Sequence, residues 1–416
     1  MNQKRLLLLG GSNSIDDIRR FAAENDVTLI ATAHPRYGIT PLKRIADESY
    51  DVNAIDDEGL IRLIRNKHID GVFPGNNEDI LPHAIAAAEA CGLPVYCDRA
   101  MWDRCANKAL FKQMCAENGI PVAKTYDLSV TAPADIPYPV AVKPADSCGS
   151  QGFSLVRSAE ELLPAVERAL PFSRTETVLI EEYIPFDSCI IHYTLSGGEA
   201  VFCGISDKVS MMLAEGTGSV MALQRFPSED TDVYRETLDE KVRAMFRRAG
   251  LHDGPLWIEA FNDHGRFIFN EMGYRFGGSM TYYPVRYFYG IDQLEFMLRY
   301  ALGETPDLSG MTSLIRRDVP AGRHFAILPL HVRPGRIRAV TGEDAVAAMP
   351  EVYAYVPIHG AGDTIRASAS VQQVFCYLHL LYDDMTDLSE TADRVFHALT
   401  VEGDSGENLL FRLFRF

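Results

Sequence analysis

Several features are scarce in this 416-residue chain. Its eight cysteines form no Cys-x-x-Cys pair and no regular framework, so a disulfide scaffold is not indicated and the thiols read as unpaired in a reducing cytoplasm. No apolar run is long enough to cross a membrane. The run of leucines at 6–9 is too short for the core of a secretory signal and stops at Gly10-Gly11. Basic residues are outnumbered, 40 against 57 acidic ones, and the net charge of −17 argues against a general nucleic-acid or anionic-membrane surface. The histidines show no His-x-x-x-His spacing, and Gly10-Gly11-Ser12-Asn13 lacks the spaced glycines of a dinucleotide fingerprint. No repeat or low-complexity tract is evident.

What remains is the composition of a soluble globular protein, 47% hydrophobic and 23% charged, long enough for two or three domains. The first hundred residues alternate strand and helix patterns: strands at 5–9, 27–31 and 71–73, helices at 16–25, 57–66 and 81–91. Strands separated by helices imply a parallel α/β sheet. The pattern changes at about Asn107. A helix over 107–118 stops at Gly119-Ile120-Pro121. Strands then dominate to about residue 205, with one helix at 159–169, and a long helix covers 232–249. The tail from about 314 is again β-rich, with a helix at 389–399.

Two glutamates carry the chemistry. Glu259 ends the run Leu256-Trp257-Ile258, and Glu271 ends Phe267-Ile268-Phe269-Asn270; the turn signal Asn262-Asp263-His264-Gly265 lies between. This predicts a hairpin that brings two carboxylates to one patch. Such a pair suits a hard cation such as Mg²⁺, which prefers oxygen ligands and nucleotide phosphates. Arg275 and Gly277-Gly278 follow at once and point to phosphate chemistry. Taken alone, the pair is also compatible with ordinary solvent-facing strand residues.

Upstream, a strand over 139–144 delivers Lys143 to the loop Ser147-Cys148-Gly149-Ser150-Gln151-Gly152, and a second strand follows. Lys143 precedes the glycines and no helix begins after them, so this is not a Walker loop. Its amides can still cradle phosphates, with Lys143 as a point charge; a plain hairpin is the alternative. A third strand, 178–180, ends in Glu181-Glu182-Tyr183-Ile184-Pro185, where backbone groups can meet an adenine edge.

The order Lys108, Lys143 with its loop, Glu181–Ile184, then Glu259, Glu271 and Arg275 resembles the ATP-grasp superfamily, within it the carboxylate–amine ligase and biotin-carboxylase-like (carbamoyl-phosphate-synthetase-like) group. The resemblance implies an α/β architecture: a Rossmann-like parallel-sheet domain over 1–106, a two-lobed ATP-grasp domain over 107–312, and a small β-rich domain over 313–416. It implies that Lys108 and Lys143 contact the ATP phosphates and that Ser147, Gly149, Ser150 and Gly152 belong to a mobile flap. Glu181 would lie at the adenine amino group, with the backbone of Glu182 and Ile184 reading the ring. Lys208 would be a further phosphate-side lysine. Glu259 and Glu271 would bind Mg²⁺ (or Mn²⁺), and Arg275 would face the acyl phosphate or a substrate carboxylate.

Two departures stand out. Gly273 occupies the place of a family Asn, so a metal ligand is missing, and Asn270 would face the wrong side of a regular strand. Asp187 would substitute, from a shifted position, for a ribose-binding Glu. Tyr282, Tyr283, Tyr287 and Tyr289 line a substrate pocket or pack under a helix, and Cys148 is a small loop residue or a reactive thiol. His192 and His324 read as core or surface residues.

The implied activity is that of an ATP-dependent ligase that makes an acyl phosphate and couples it to an amine, with an amino acid or small peptide-like substrate. The implied setting is cytoplasmic, without nucleic-acid or membrane partners, with a homodimer through the first domain as a family-level expectation. The alternatives are an ATP-grasp carboxylase, a phosphotransferase, or a nucleotide-binding regulator without turnover. Gly273→Asn is expected to lower the Mg²⁺ requirement, provided the strand accepts a side chain there.

Overall fold

The computed structural model describes residues 3–10, 14–37, 40–147, 151–213, 219–311, 313–367 and 371–414. The leading unit holds four parallel strands, β1 (Lys4–Leu9), β2 (Val27–Thr32), β3 (Glu48–Tyr50) and β4 (Gly71–Phe73), in the order β3-β2-β1-β4. Leu6 to Leu9 are all fully buried because helices cover both faces of the sheet. Leu6 and Leu8 share a core with Ile18 and Phe21, while Leu7 and Leu9 share one with Leu60, Leu63 and Ala84. A continuous apolar run is what a strand covered on both sides requires.

A small antiparallel lobe follows: β5 (Val140–Pro144), β6 (Ser154–Val156) and β7 (Val178–Glu182), ordered β6-β5-β7. The helix Ala159–Ala169 lays Leu162, Ala165 and Ala169 on Val140, Val142 and Ile180.

The largest sheet begins with β8 (Ser188–Ser196), β9 (Glu199–Met212), β10 (Ser219–Phe226), β11 (Gly254–Asp263) and β12 (Arg266–Gly273). It continues with β13 (His324–Val332), β15 (Val352–Pro357) and β17 (Val374–Tyr382), in the order β12-β11-β8-β9-β10-β13-β17-β15. Pairing runs on from β10 to β13, with Phe226 opposite Phe325. A three-stranded sheet, β14 (Gly335–Thr341) between β16 (Thr364–Ile365) and β18 (Thr400–Gly403), and the short β19 (Leu410–Phe411) complete the tail.

Two helices differ from expectation. The stretch predicted over 232–249 is two helices, Thr231–Thr237 and Asp239–Ala249. At their junction the Asp239 carboxylate accepts from the buried Tyr193 hydroxyl at 2.6 Å. The helix Lys108–Glu117 is preceded by an unforeseen one, Arg99–Ala106. Asn107 separates them, and its side chain accepts from the amides of Ala109 and Leu110 as an N-cap. Phe111 on the second helix stacks on Phe269 of β12, with centroids 6.4 Å apart, which anchors the Lys108 helix to the glutamate hairpin. Among the described residues, no helix is long and apolar enough to cross a membrane.

Gly71 sits where β4 meets the helix Gln293–Ala301: a Cβ there would lie 2.1 Å from the carbonyl oxygen of Ala301. Gly71→Ala is expected to lower stability by about 1–3 kcal/mol, the usual cost of overpacking, measured by urea unfolding. Gly360→Ala, with nothing within 4 Å of its Cβ, is expected to stay within about 0.5 kcal/mol of the parent.

Candidate active site

The hairpin forms as expected, but with a slip in register. Trp257 pairs with Gly273, Ile258 with Met272 and Glu259 with Glu271; then Ala260 pairs with Phe269. Asn270 is the extra residue of a β-bulge, and a bulge re-aims the side chains next to it. The expectation that Asn270 faces away is therefore corrected. Its Oδ1 accepts a 2.6 Å hydrogen bond from Lys143 Nζ, across the cleft between the small lobe and the hairpin.

Around the hairpin, ammonium groups meet carboxylates. Lys108 Nζ lies 3.1 Å from Glu271 Oε2 and donates to the Ser147 carbonyl at 2.6 Å. Lys208 Nζ lies 2.9 Å from Glu259 Oε2. Glu181 is 2% exposed; it takes Lys143 on Oε2 at 2.9 Å and Lys112 on Oε1.

Burial alone would raise the Glu271 pKa, but Lys108, Lys143 and Lys208 outweigh it and bring it to about 2. Burial likewise opposes ionisation of Glu181, and Lys143 and Lys112 reverse that, holding it below the usual carboxylate range. Lys208 is raised, because Glu259 overcomes the desolvation. Lys112 goes the other way: burial, then repulsion from Lys143, brings it to about 8 despite Glu181.

The remaining expected residues divide. Glu182 is committed to the fold: its amide donates to the Lys124 carbonyl at 2.9 Å, and its Oε1 accepts from the Lys124 amide at 3.0 Å. Ile184 is half-buried and Asp187 exposed; the Asp187 carbonyl accepts from the Asn262 amide. In the flap, Ser147 Oγ donates to the Gln151 carbonyl at 3.1 Å. Gly152 has φ +73° and packs under Pro144 and Phe172. Cys148, Gly149 and Ser150 lie outside the described residues.

Arg275 reaches into the first unit. Its Nη2 donates to Glu78 Oε1 at 2.6 Å, and its guanidinium carbon lies 5.3 Å from the centre of the Trp257 ring.

Gly273 does not tolerate the side chain that would restore a ligand. A Cβ there would lie 2.4–2.5 Å from Cε2, Cζ2 and Nε1 of Trp257. The indole fills that space, so the expected benefit of Gly273→Asn does not follow.

The tyrosines are structural in large part. Tyr282 and Tyr283 donate to Asp17 Oδ2 at 2.9 and 2.5 Å, tying the helix Tyr282–Tyr289 to the first unit. Tyr289 fills the space above Gly204. His192 is fully buried beside Ser206, and His324 stacks on Tyr382.

The sequence reading missed Lys112, Asn270, Trp257 and Glu78. Lys112 alone left a signal, lying one helical turn after Lys108 and so on the same face.

With two oxygen-donor carboxylates directly opposed and phosphates or water to complete the shell, the hairpin fits a hard cation such as Mg²⁺. Among the described residues, no group of three or more Asp, Glu, His or Cys gathers to form a larger metal site.

Comparison with known proteins agrees with this geometry. Residues 110–211 match the family model for the D-ala D-ala ligase C-terminus. A formate-dependent phosphoribosylglycinamide formyltransferase of Bacteroides thetaiotaomicron is 30% identical over 210 residues, 48% of this chain and 53% of that protein. The chain spans about half the length of the curated relatives it matches. An L-amino acid ligase from Bacillus licheniformis superposes with TM-score 0.76 at 18% identity, covering 97% of this chain and 100% of that one. The biotin carboxylase domain of Hydrogenobacter thermophilus 2-oxoglutarate carboxylase, solved with MgADP and bicarbonate, gives 0.78 at 16% identity, covering 96% and 91%. The fold is that of the ATP-grasp enzymes.

The two charge shifts have opposite pH signatures. Glu271, depressed to about 2, contributes stability that is full above its unfolded pKa of roughly 4.5 and is lost as the pH falls towards 2. Lys112, depressed to about 8, opposes folding at lower pH, and that cost is relieved as the pH rises from 8 through its unfolded value. Loss of the Lys112 proton leaves Lys143 as the partner of Glu181 and holds it away from a phosphate. ADP affinity, followed by calorimetry from pH 6.5 to 9.5, is expected to fall with a midpoint near 8. In Lys112→Met it should be weaker at neutral pH and lack that step. An unchanged profile in Lys112→Met would remove Lys112 from the nucleotide site.

Proposed function

We propose that this ATP-grasp chain is an ATP-dependent ligase that activates a carboxylate as an acyl phosphate and couples it to an amine. The observation that carries the reading is the meeting of Lys108, Lys143 and Lys208 with Glu271, Glu181 and Glu259 at the mouth of the bulged hairpin. Phosphoryl transfer is catalysed mainly by positioning and by neutralising spread charge, and this junction concentrates cations where a triphosphate would lie. The similarity to the formyltransferases and to the L-amino acid ligase supports the same reaction class.

In this reading Lys108 and Lys143 leave their carboxylate partners for the phosphates. Lys208, on the sheet side, balances Glu259 and the transferred phosphoryl group. Glu259 and Glu271 would hold Mg²⁺, which as a Lewis acid would draw charge from the phosphate oxygens. The substrate carboxylate oxygen attacks the γ-phosphorus and ADP leaves. The amine then attacks the acyl carbon, inorganic phosphate departs, and the ammonium proton passes to solvent. Flap residues Ser147 and Gly152 border the region where water must be kept from the acyl phosphate. Arg275 orients the carboxylate from the side facing the first unit. ATP, a small carboxylate and an amine are the partners in this reading, and an amino acid or small peptide is the proposed amine. A homodimer and a cytoplasmic setting belong to the same proposal.

The test is phosphate release with ATP and Mg²⁺ across a panel of amino acids and small carboxylates. Stimulation should require both a carboxylate and an amine. Stimulation by bicarbonate alone, with no amine, would favour a carboxylase instead. Glu271→Gln keeps the shape and removes the charge, and is expected to lower turnover by about two to three decades in a protein that still folds, with a thermal transition below the parent's above pH 5, where the Glu271 charge contributes its stability. Near-parental turnover would mean that the glutamate pair is not the metal site.

A further inference from the structure

Trp257 stands on the same face of β11 as Glu259, two residues away, and directly opposite Gly273. Its indole occupies the space above Gly273, with Nε1 2.5 Å from where a Cβ would be. That nitrogen is buried and has no hydrogen-bond partner among the described residues. Arg275 lies over the ring, and its Nε is a second buried N–H without a partner. Buried donors are normally satisfied, and each exception calls for an explanation. Two such donors on stacked side chains, beside the directly opposed glutamates of the hairpin, are explained together if a ligand oxygen takes them.

We propose that the indole N–H of Trp257 and the Nε–H of Arg275 form a donor pair for an anionic oxygen at the reacting centre, either a carboxylate oxygen of the substrate or an oxygen of the transferred phosphoryl group. An N–H cannot ligate a cation, so the pair serves an anion. Glu78 holds the far end of the guanidinium, fixing Arg275 over the ring. Trp257 is thus a further substrate-contacting residue, and the glycine at 273 is what makes room for it. This rests on the ligase reading above.

The chain has two tryptophans, and Trp102 is buried in the core at 3% exposure. The 416-residue chain labelled with ¹⁵N-tryptophan therefore gives two indole signals, and the one absent from Trp257→Phe belongs to Trp257. The probes are MgADP alone, MgADP with inorganic phosphate, and MgADP with acetate. The Trp257 N–H should move downfield with phosphate or with acetate beyond any shift caused by MgADP alone. The arm that moves it identifies the oxygen. Binding of MgADP with no such movement in either arm overturns the donor pair and leaves the nucleotide reading standing. Failure of MgADP to bind at all overturns both. In turnover, Trp257→Phe keeps the ring under Arg275 but removes the donor. Its kcat should fall about 100-fold, as for loss of an oxyanion-hole donor, with the ATP KM within about twofold of the parent. Parental kcat would also overturn the proposal.

Discussion

Four ammonium groups and three carboxylates meet in one water-poor cleft, and the architecture serves to bring them there. Lys108 and Lys112 come from one helix, Lys143 from β5, Glu181 from β7, Lys208 from β9, Glu259 from β11 and Glu271 from β12. No two neighbouring charges of opposite sign come from the same element. Removing an ion from water is costly, and partial removal of a buried pair leaves an uncompensated charge. Each element is therefore held to its place by the others. The bulge at Asn270 adds a neutral acceptor for Lys143, so this cation has two partners on opposite sides of the cleft.

This arrangement also suits exchange. The partners now joined are those that a nucleotide and a hard cation would separate, with lysines going to phosphates and glutamates to the cation. Lys112, buried at 5% exposure, shares Glu181 with Lys143. It can stay on Glu181 when Lys143 turns to a phosphate, so Glu181 need not be left bare. The self-paired cleft, four lysines against three glutamates, is thus a ground state with one net positive charge that can open without stranding a buried carboxylate.

Much of the fold was legible from pattern. The doubly covered strand at 6–9, the helices at 57–66 and 159–169, and the glutamate hairpin follow from apolar runs, periodicity and a strong turn signal. That the two glutamates share a patch follows from the turn, but their direct opposition does not, because the register set by the turn would place Glu259 opposite Asn270 and only the bulge moves it to Glu271. The bulge was not legible. One extra residue shifts Asn270 to the other face, and nothing in Phe269-Asn270-Glu271 distinguishes a bulge from a regular strand. The clash at Gly273 was equally hidden, because it depends on which cross-strand residue faces position 273, and the bulky one happens to be Trp257. Lys112 and Glu78 lie in segments that read as an ordinary helix and an ordinary loop. Their roles arise only when Glu181 and Arg275 are brought to them from 69 and 197 residues away.

The central claim is that nucleotide and cation relieve each other's costs by dividing the ion pairs between them. It is tested most directly by titrating ADP calorimetrically into the protein with Mg²⁺ and, separately, with EDTA, and by titrating Mg²⁺ with and without ADP. If the account is right, Mg²⁺ strengthens ADP binding by at least about tenfold, and ADP strengthens Mg²⁺ binding by the same factor, as linkage requires. Mutation of both Glu259 and Glu271 to glutamine should abolish that coupling while ADP still binds. Equal ADP affinity in Mg²⁺ and in EDTA would contradict the account.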